Sequence, residues 1–154
     1  MRHGASIAVV VPAFREERLI GRTLSTIPDW VDAIYAVDDA SPDGTWQVLC
    51  QLAGSRVRTQ RHPENRGVGA AIVSGYRAAL AEGHDVLAVM AGDAQMHPDD
   101  LGAVVDPVAL GQTDYVKGNR FRHAERRRMP AARRLVGAML SALTAAATGL
   151  DVDE

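Results

Sequence analysis

Residues 89–100 read Val-Met-Ala-Gly-Asp-Ala-Gln-Met-His-Pro-Asp-Asp. The apolar run Val86 to Met90 stops at Gly92-Asp93-Ala94-Gln95, so a buried strand ends on a carboxylate and an amide. Oxygen donors of this type suit Mg²⁺ or Mn²⁺. At the C-terminal end of a strand in an open α/β sheet, where ligands bind, such an ion serves mainly to hold phosphates. The competing reading is an ordinary turn in which Asp93 caps backbone amides. His97 follows at the start of the next helix and reads as a surface residue rather than a ligand.

Four more segments follow apolar runs and are read together, because loops after parallel strands share one edge. The first is Pro12-Ala13-Phe14-Arg15-Glu16-Glu17. It lacks the G-x-G-x-x-G of dinucleotide folds, which disfavours NAD and FAD. The second is Asp38-Asp39-Ala40-Ser41-Pro42-Asp43-Gly44-Thr45. Its adjacent carboxylates repel unless a base or ribose, turn amides or an Arg compensates them. The third, Asn65-Arg66-Gly67-Val68-Gly69-Ala70, leads into a helix; its glycines let backbone amides approach a phosphate or another segment. The fourth is Lys117-Gly118-Asn119-Arg120-Phe121, where the Arg120 guanidinium either grips a diphosphate with two bonds or makes a surface salt bridge.

Periodicity supplies the elements that position these loops. Ile7 to Val11 is apolar on both faces, as in a buried parallel strand. A helix is predicted over Glu16 to Ile27, with Leu19, Ile20, Leu24 and Ile27 on one face and Glu16 and Glu17 favouring its N-terminus. Further strands are predicted at 33–37, 57–59, 85–90 and 115–118, and further helices at 45–52, 68–81 and 99–110. In helix 68–81, Val68, Ile72, Tyr76 and Leu80 recur at four-residue steps. Strand-helix alternation of this kind predicts a mostly parallel sheet with helices on both faces.

With 154 residues, 47% of them apolar, and a net charge of -2, the chain is one soluble domain's worth with no case for nucleic-acid binding. The single Cys50 excludes an internal disulfide, fits a reducing compartment and, between Leu49 and Leu52, reads as core filler. No secretory signal opens the chain, since Pro12 ends the first apolar run. Trp30 and Trp46 read as packing anchors. His3, His62, His84 and His123 show no metal-ligand spacing.

The stretches V-V-V-P-A-F-R-E-E (9–17), V-D-D-A-S-P-D-G-T (37–45), N-R-G-V-G-A-A (65–71), M-A-G-D-A-Q-M-H-P-D-D-L (90–101) and Y-V-K-G-N-R-F (115–121) resemble, in order and spacing, the family 2 glycosyltransferases of the GT-A fold. They are nearest the polyprenyl-phosphate sugar transferases. The resemblance implies a Rossmann-like GT-A domain over 1–121 that binds a UDP- or GDP-linked sugar. Pro12, Ala13, Phe14 and Glu16 would line the base and ribose pocket, with Asp38 or Asp39 reaching the nucleoside. Gly92 and Asp93 would also contact the nucleotide sugar. Asp93 corresponds to the last acid of the family's Asp-x-Asp motif and would hold Mg²⁺ or Mn²⁺, with Gln95 sharing the ion; Arg120 would bind phosphate. Two departures stand out: Ala91 occupies the place of the motif's first Asp, and Arg15 the place of a usual Asn.

The function this implies is inverting, metal-dependent sugar transfer from a nucleotide sugar to an acceptor, with a polyprenyl phosphate as the expected acceptor and Asp93 and Arg120 as the catalytic residues. An anionic acceptor phosphate needs no strong general base, which fits the absence of an obvious one. The alternative is a truncated, non-catalytic nucleotide-sugar-binding module. A sugar nucleotidyltransferase is disfavoured because the first loop has no Gly-rich basic stretch. Relatives continue past the equivalent of Glu154, so the acceptor half is expected to be largely absent, with 122–154 as its start. After the last predicted strand, Arg120, Arg122, Arg126, Arg127, Arg128, Arg133 and Arg134 precede sixteen uncharged residues, Leu135 to Leu150. That run is shorter than the ~20 residues needed to span a bilayer. A helix with a basic start and an apolar body can lie on an anionic membrane surface, and the competing reading is a core-packed helix behind a solvated loop. The expected location is cytoplasmic, peripheral on the cell membrane's inner face.

Overall fold

The computed structural model describes residues 1–118. Four strands alternate with four helices in the order β1 (Ile7–Ala13), α1 (Ile20–Thr26), β2 (Ala33–Asp38), α2 (Thr45–Leu52), β3 (Val57–Arg61), α3 (Val68–Ala81), β4 (Val86–Val89) and α4 (Leu101–Ala109). A 3₁₀ turn, Pro98–Asp100, leads into α4. The sheet order is β3-β2-β1-β4, and each pairing is parallel. Met1–Val116 forms one compact unit and Lys117 begins another.

The core divides by the two-residue alternation of β1. Ile7, Val9, Val11 and Ala13 pack in one cluster with Ile20, Leu24, Leu49, Leu101 and Val105 from α1, α2 and α4. Ala8 and Val10 pack on the other face with Ala79 of α3. Trp30 and Trp46 pack against the larger cluster, as expected of anchors.

Several local expectations are corrected. The buried face of α3 is Ala71, Gly75 and Ala79, while Val68 and Leu80 are 65% and 61% exposed. Small residues let this helix sit close to the sheet: a Cβ on Gly75 would lie 2.3 Å from Val10 Cγ1. The first helix begins at Ile20, not Glu16, because Glu16–Leu19 forms a turn that Arg15 enters with φ of 60°. Cys50 is exposed, since Leu49 takes the inward face of α2. Residues 115–118 form no strand: they pair with no described strand, and Tyr115 is 75% exposed.

Candidate functional site

The loops leaving β1, β2 and β4 meet at the C-terminal edge of the sheet because register aligns their last residues. Ala13 pairs with Asp38, Asp38 with Arg61, and Val10 with Val89. Short cross-loop bonds then tie them together. The Arg15 amide donates to Ser41 Oγ (3.0 Å), and the Glu16 amide to Thr45 Oγ1 (2.8 Å). The Gly44 amide donates to Glu17 Oε2 (3.1 Å). On the other side the Gly92 amide donates to Pro12 O (3.3 Å), and Thr23 Oγ1 donates to Gly92 O (2.9 Å). Gly92 is needed for this approach, because a Cβ there would lie 3.2 Å from both Pro12 O and Ile20 Cδ1.

Both carboxylates of the Asp38-Asp39 pair are buried, and both are compensated within the protein. Asp38 Oδ1 accepts the Ser41 amide at 3.2 Å. Arg61 Nε lies 2.9 Å from Asp38 Oδ2, an ion pair whose angle leaves Oδ2 without a directed hydrogen bond among the described residues. Asp39 is more fully engaged. Its Oδ1 takes the Arg66 amide at 3.0 Å and lies 2.6 Å from His62 Nδ1, and its Oδ2 takes the Gly67 amide at 2.7 Å. Burial alone pushes Asp39 upward, but the Arg66 amide, the His62 ring and the Gly67 amide outweigh it and hold the carboxyl below its ordinary range. Turn amides and an Arg thus separate the two like charges, and the glycine-rich segment approaches another loop through Arg66 and Gly67. Gly67 can do so at φ of 86°, which has little steric cost for glycine.

Asp93 is partly buried beside Gly92, and its Oδ1 accepts the Gln95 amide at 3.1 Å. Ala94 completes the turn at φ of 55°. Glu16 reaches toward this turn: its Cγ lies 3.5 Å from where a Gly92 Cβ would be. Burial first, then the negative charges of Asp93 and Asp43, push Glu16 above its ordinary value. Asp43 itself is lowered, chiefly by the Thr45 hydroxyl. Two clefts open here. One of about 330 Å³ is lined by Arg15, Glu16, Glu17 and Asp43, and one of about 210 Å³ by Arg22, Thr26, Gln95 and His97.

Of the residues singled out in sequence, Pro12, Ala13, Glu16, Asp38, Asp39, Gly92, Asp93 and Gln95 therefore share one edge. Phe14 is 40% exposed there, beneath the Arg15 guanidinium. His97 is an exposed residue before the 3₁₀ turn. Asp38 and Asp39 line neither cleft. Arg120 lies outside the described residues, as do the basic segment and the uncharged run after it. Among the described residues no three His, Cys, Asp or Glu side chains converge on an ion position, and no helix is long and apolar enough to cross a membrane. Sequence reasoning missed Arg61, His62 and Ser74. The available signal was position: Arg61-His62 directly follows the third strand and so falls at the same edge as the carboxylates.

The sequence matches Glycosyl transferase family 2 over residues 8–143. The chain belongs to that family. It is 28% identical to the UDP-N-acetylglucosamine–dolichyl-phosphate N-acetylglucosaminyltransferase of Methanococcus voltae over 90% of this chain and 61% of that protein. It is 32% identical to the polyprenol monophosphomannose synthase of Mycolicibacterium smegmatis over 73% of this chain and 44% of that one. Among solved structures it is similar to glucosyl-3-phosphoglycerate synthase of Mycobacterium tuberculosis in complex with Mn²⁺, UDP and glucosyl-3-phosphoglycerate. That likeness has a TM-score of 0.54 at 26% identity and covers 69% of this chain and 40% of the other. The fold is thus the GT-A type expected from sequence. The chain spans 61% and 44% of the length of these two curated relatives.

Proposed function

We propose that this chain is the donor-binding part of an inverting glycosyltransferase, taking a UDP- or GDP-linked sugar at the C-terminal edge of the sheet. The observation that carries the reading is the arrangement of the loops after β1, β2 and β4 on one edge, where Glu16 and Asp43 line one cleft and Gly92, beside Asp93, bonds to Pro12, with Glu16 raised by burial and by the charges of Asp93 and Asp43. Such crowding is relieved by a cation. The donor set fits a hard divalent ion, which takes one or two carboxylates and completes its shell with water and phosphate oxygens. A three-carboxylate cage is not required. Asp93 and Gln95 would hold the ion, and it would supply positive charge to the departing diphosphate.

This chain's own residues do the rest by positioning. Ser41, Thr45 and Glu17 fix the first two loops against each other, and Gly92 fixes the third against β1. Pro12, Ala13 and Phe14, with Asp38 or Asp39, would face the nucleoside, and Arg120 the phosphates. The relatives' names support a polyprenyl phosphate as acceptor. An acceptor phosphate oxygen would attack the anomeric carbon opposite the diphosphate. The old bond would break with its electron pair going to the leaving diphosphate oxygen, and the anionic acceptor would need no base. A peripheral position on the inner face of an anionic membrane follows from such an acceptor and from the basic 120–134 sequence.

The test is calorimetric titration of UDP and GDP with and without Mn²⁺, followed by incubation with radiolabelled donor and polyprenyl phosphate. Metal-dependent binding that falls at least about tenfold in Asp93→Asn, equivalent to ~1.4 kcal/mol, is expected. Unchanged binding in that variant removes Asp93 from the site. Glycolipid formation identifies a transferase, and binding without glycolipid identifies a donor-binding module.

A further inference from the structure

His62 is buried with both ring nitrogens engaged, Nδ1 2.6 Å from Asp39 Oδ1 and Nε2 2.9 Å from Ser74 Oγ. With Asp39 ionised, Nδ1–H donates to the carboxylate and Nε2 accepts from the Ser74 hydroxyl. The chain Asp39–His62–Ser74 runs from the end of β2, across the loop after β3, into the middle of α3. Its connectivity matches that of a nucleophile triad, but the chemistry does not. Ser74 lies inside a 14-residue helix, whose backbone amides are spent on helical bonds and leave no donors for an oxyanion.

We infer that His62 is a positioning residue for nucleotide binding, acting through Asp39. The inference rests on the reading of this edge as the nucleotide site. The same Asp39 oxygen that meets His62 also holds the Arg66 amide, and its partner oxygen holds the Gly67 amide. Fixing the ring therefore fixes the carboxylate, and the carboxylate fixes the turn that enters α3. The Arg66 side chain is exposed at that turn, so the lock sets where its guanidinium stands at the nucleotide edge. Ser74 anchors the far side of the ring to a helix already packed on β1 and β2, giving the lock a rigid base.

Two substitutions separate positioning from simple cohesion. In His62→Asn the amide nitrogen takes the place of Nδ1 and keeps the Asp39 bond while losing Ser74. In His62→Gln the amide reaches the place of Nε2 and keeps Ser74 while losing Asp39. Binding of UDP and GDP with Mn²⁺ is measured by calorimetry on the full chain, with thermal unfolding in parallel. Positioning through Asp39 requires His62→Asn to recover most of the wild-type affinity and His62→Gln to bind about tenfold more weakly, the range for a lost hydrogen bond to a charged group. Equal affinities in the two variants overturn it, whatever their relative stabilities. Should either variant fail to fold, the wild-type protein decides the matter: the His62 Nδ1–H proton resonance must shift when UDP or GDP saturates the site, and a resonance that stays in place overturns the inference. If neither nucleotide binds the wild-type chain, the site reading itself fails and the inference falls with it.

Discussion

The two edges of the sheet use acidic side chains in opposite ways. At the N-terminal edge Asp32 and Asp106 each meet a cation, and Asp85 accepts the Ser6 amide at 2.8 Å. The N-terminal ammonium lies 2.5 Å from Asp32 Oδ1, and Asp32 Oδ2 also accepts the Ile7 amide. Arg2 makes a two-pronged pair with Asp106 of α4, His3 joins it at 3.0 Å, and the Arg2 guanidinium lies over the Trp30 ring. At the C-terminal edge Asp38 pairs with Arg61 and Asp39 is held by His62 and two backbone amides, while Glu16 faces the negative charges of Asp93 and Asp43. Backbone strain follows the same division. Of the four non-glycine residues with positive φ among the described residues, Arg15, Ala40 and Ala94 lie in the loops after β1, β2 and β4, and His3 lies elsewhere. One edge is closed electrostatically, and the other retains charge and strain that a ligand can relieve.

The comparison breaks most sharply at Asp39. Asp39→Ala leaves His62 and the Arg66 and Gly67 amides without their shared acceptor inside a buried network. It should cost about 3 kcal/mol of stability, within the range for removing one member of a buried charged pair. Chemical denaturation measures this, and a loss below about 1 kcal/mol would mean that solvent replaces the carboxylate freely.

Asp106→Asn should have a smaller effect and a distinct pH signature. The Arg2 bond, with His3 adding to it, lowers the Asp106 carboxyl from 3.8 to about 2. A depressed carboxyl stabilises the fold above its unfolded value, and that contribution is lost as pH falls through the folded one. Urea midpoints should therefore converge between wild type and Asp106→Asn as pH drops from about 4 to about 2, with nucleotide binding at neutral pH unchanged. Midpoint differences that persist at the lowest pH would assign the effect to packing.

The smallest effect is expected at Ala94. Glycine relieves ~1–2 kcal/mol of left-handed strain but adds ~0.5–1 kcal/mol of chain entropy, so Ala94→Gly should gain about 0.5 kcal/mol. A loss of stability in thermal unfolding would show that the turn carries no strain.

What could be read from sequence was whatever depends on short-range pattern. Ile7–Val11 announced a buried strand through its apolar character on both faces, and helices 45–52 and 68–81 were bounded correctly by their flanking turns. The acidic and amide residues were legible because each follows such a run. The inward face of α3 was not, since hydrophobic size pointed to Val68 and Leu80, whereas the close approach to Val10 requires Gly75. The start of α1 was missed for a related reason: the Glu16 amide is taken by Thr45, 29 residues away, and no local propensity records that bond. His62 shows no metal-ligand spacing in the sequence, and its partners, Asp39 and Ser74, are 23 and 12 residues distant, beyond the reach of local pattern.

Those long-range ties also govern how occupancy of the edge is felt elsewhere. The bonds from Arg15 to Ser41, Glu16 to Thr45 and Asp39 to Gly67 span 26 to 29 residues, and each joins the ends of different strands. None can form until the parallel pairings that bring those ends together exist, and such non-local pairings are the slow steps of folding. These ties are therefore expected to form after the strands have paired. Saturation by a tight ligand then raises the melting temperature of the whole compact unit, as mass action on the folded state requires, instead of merely quieting one loop.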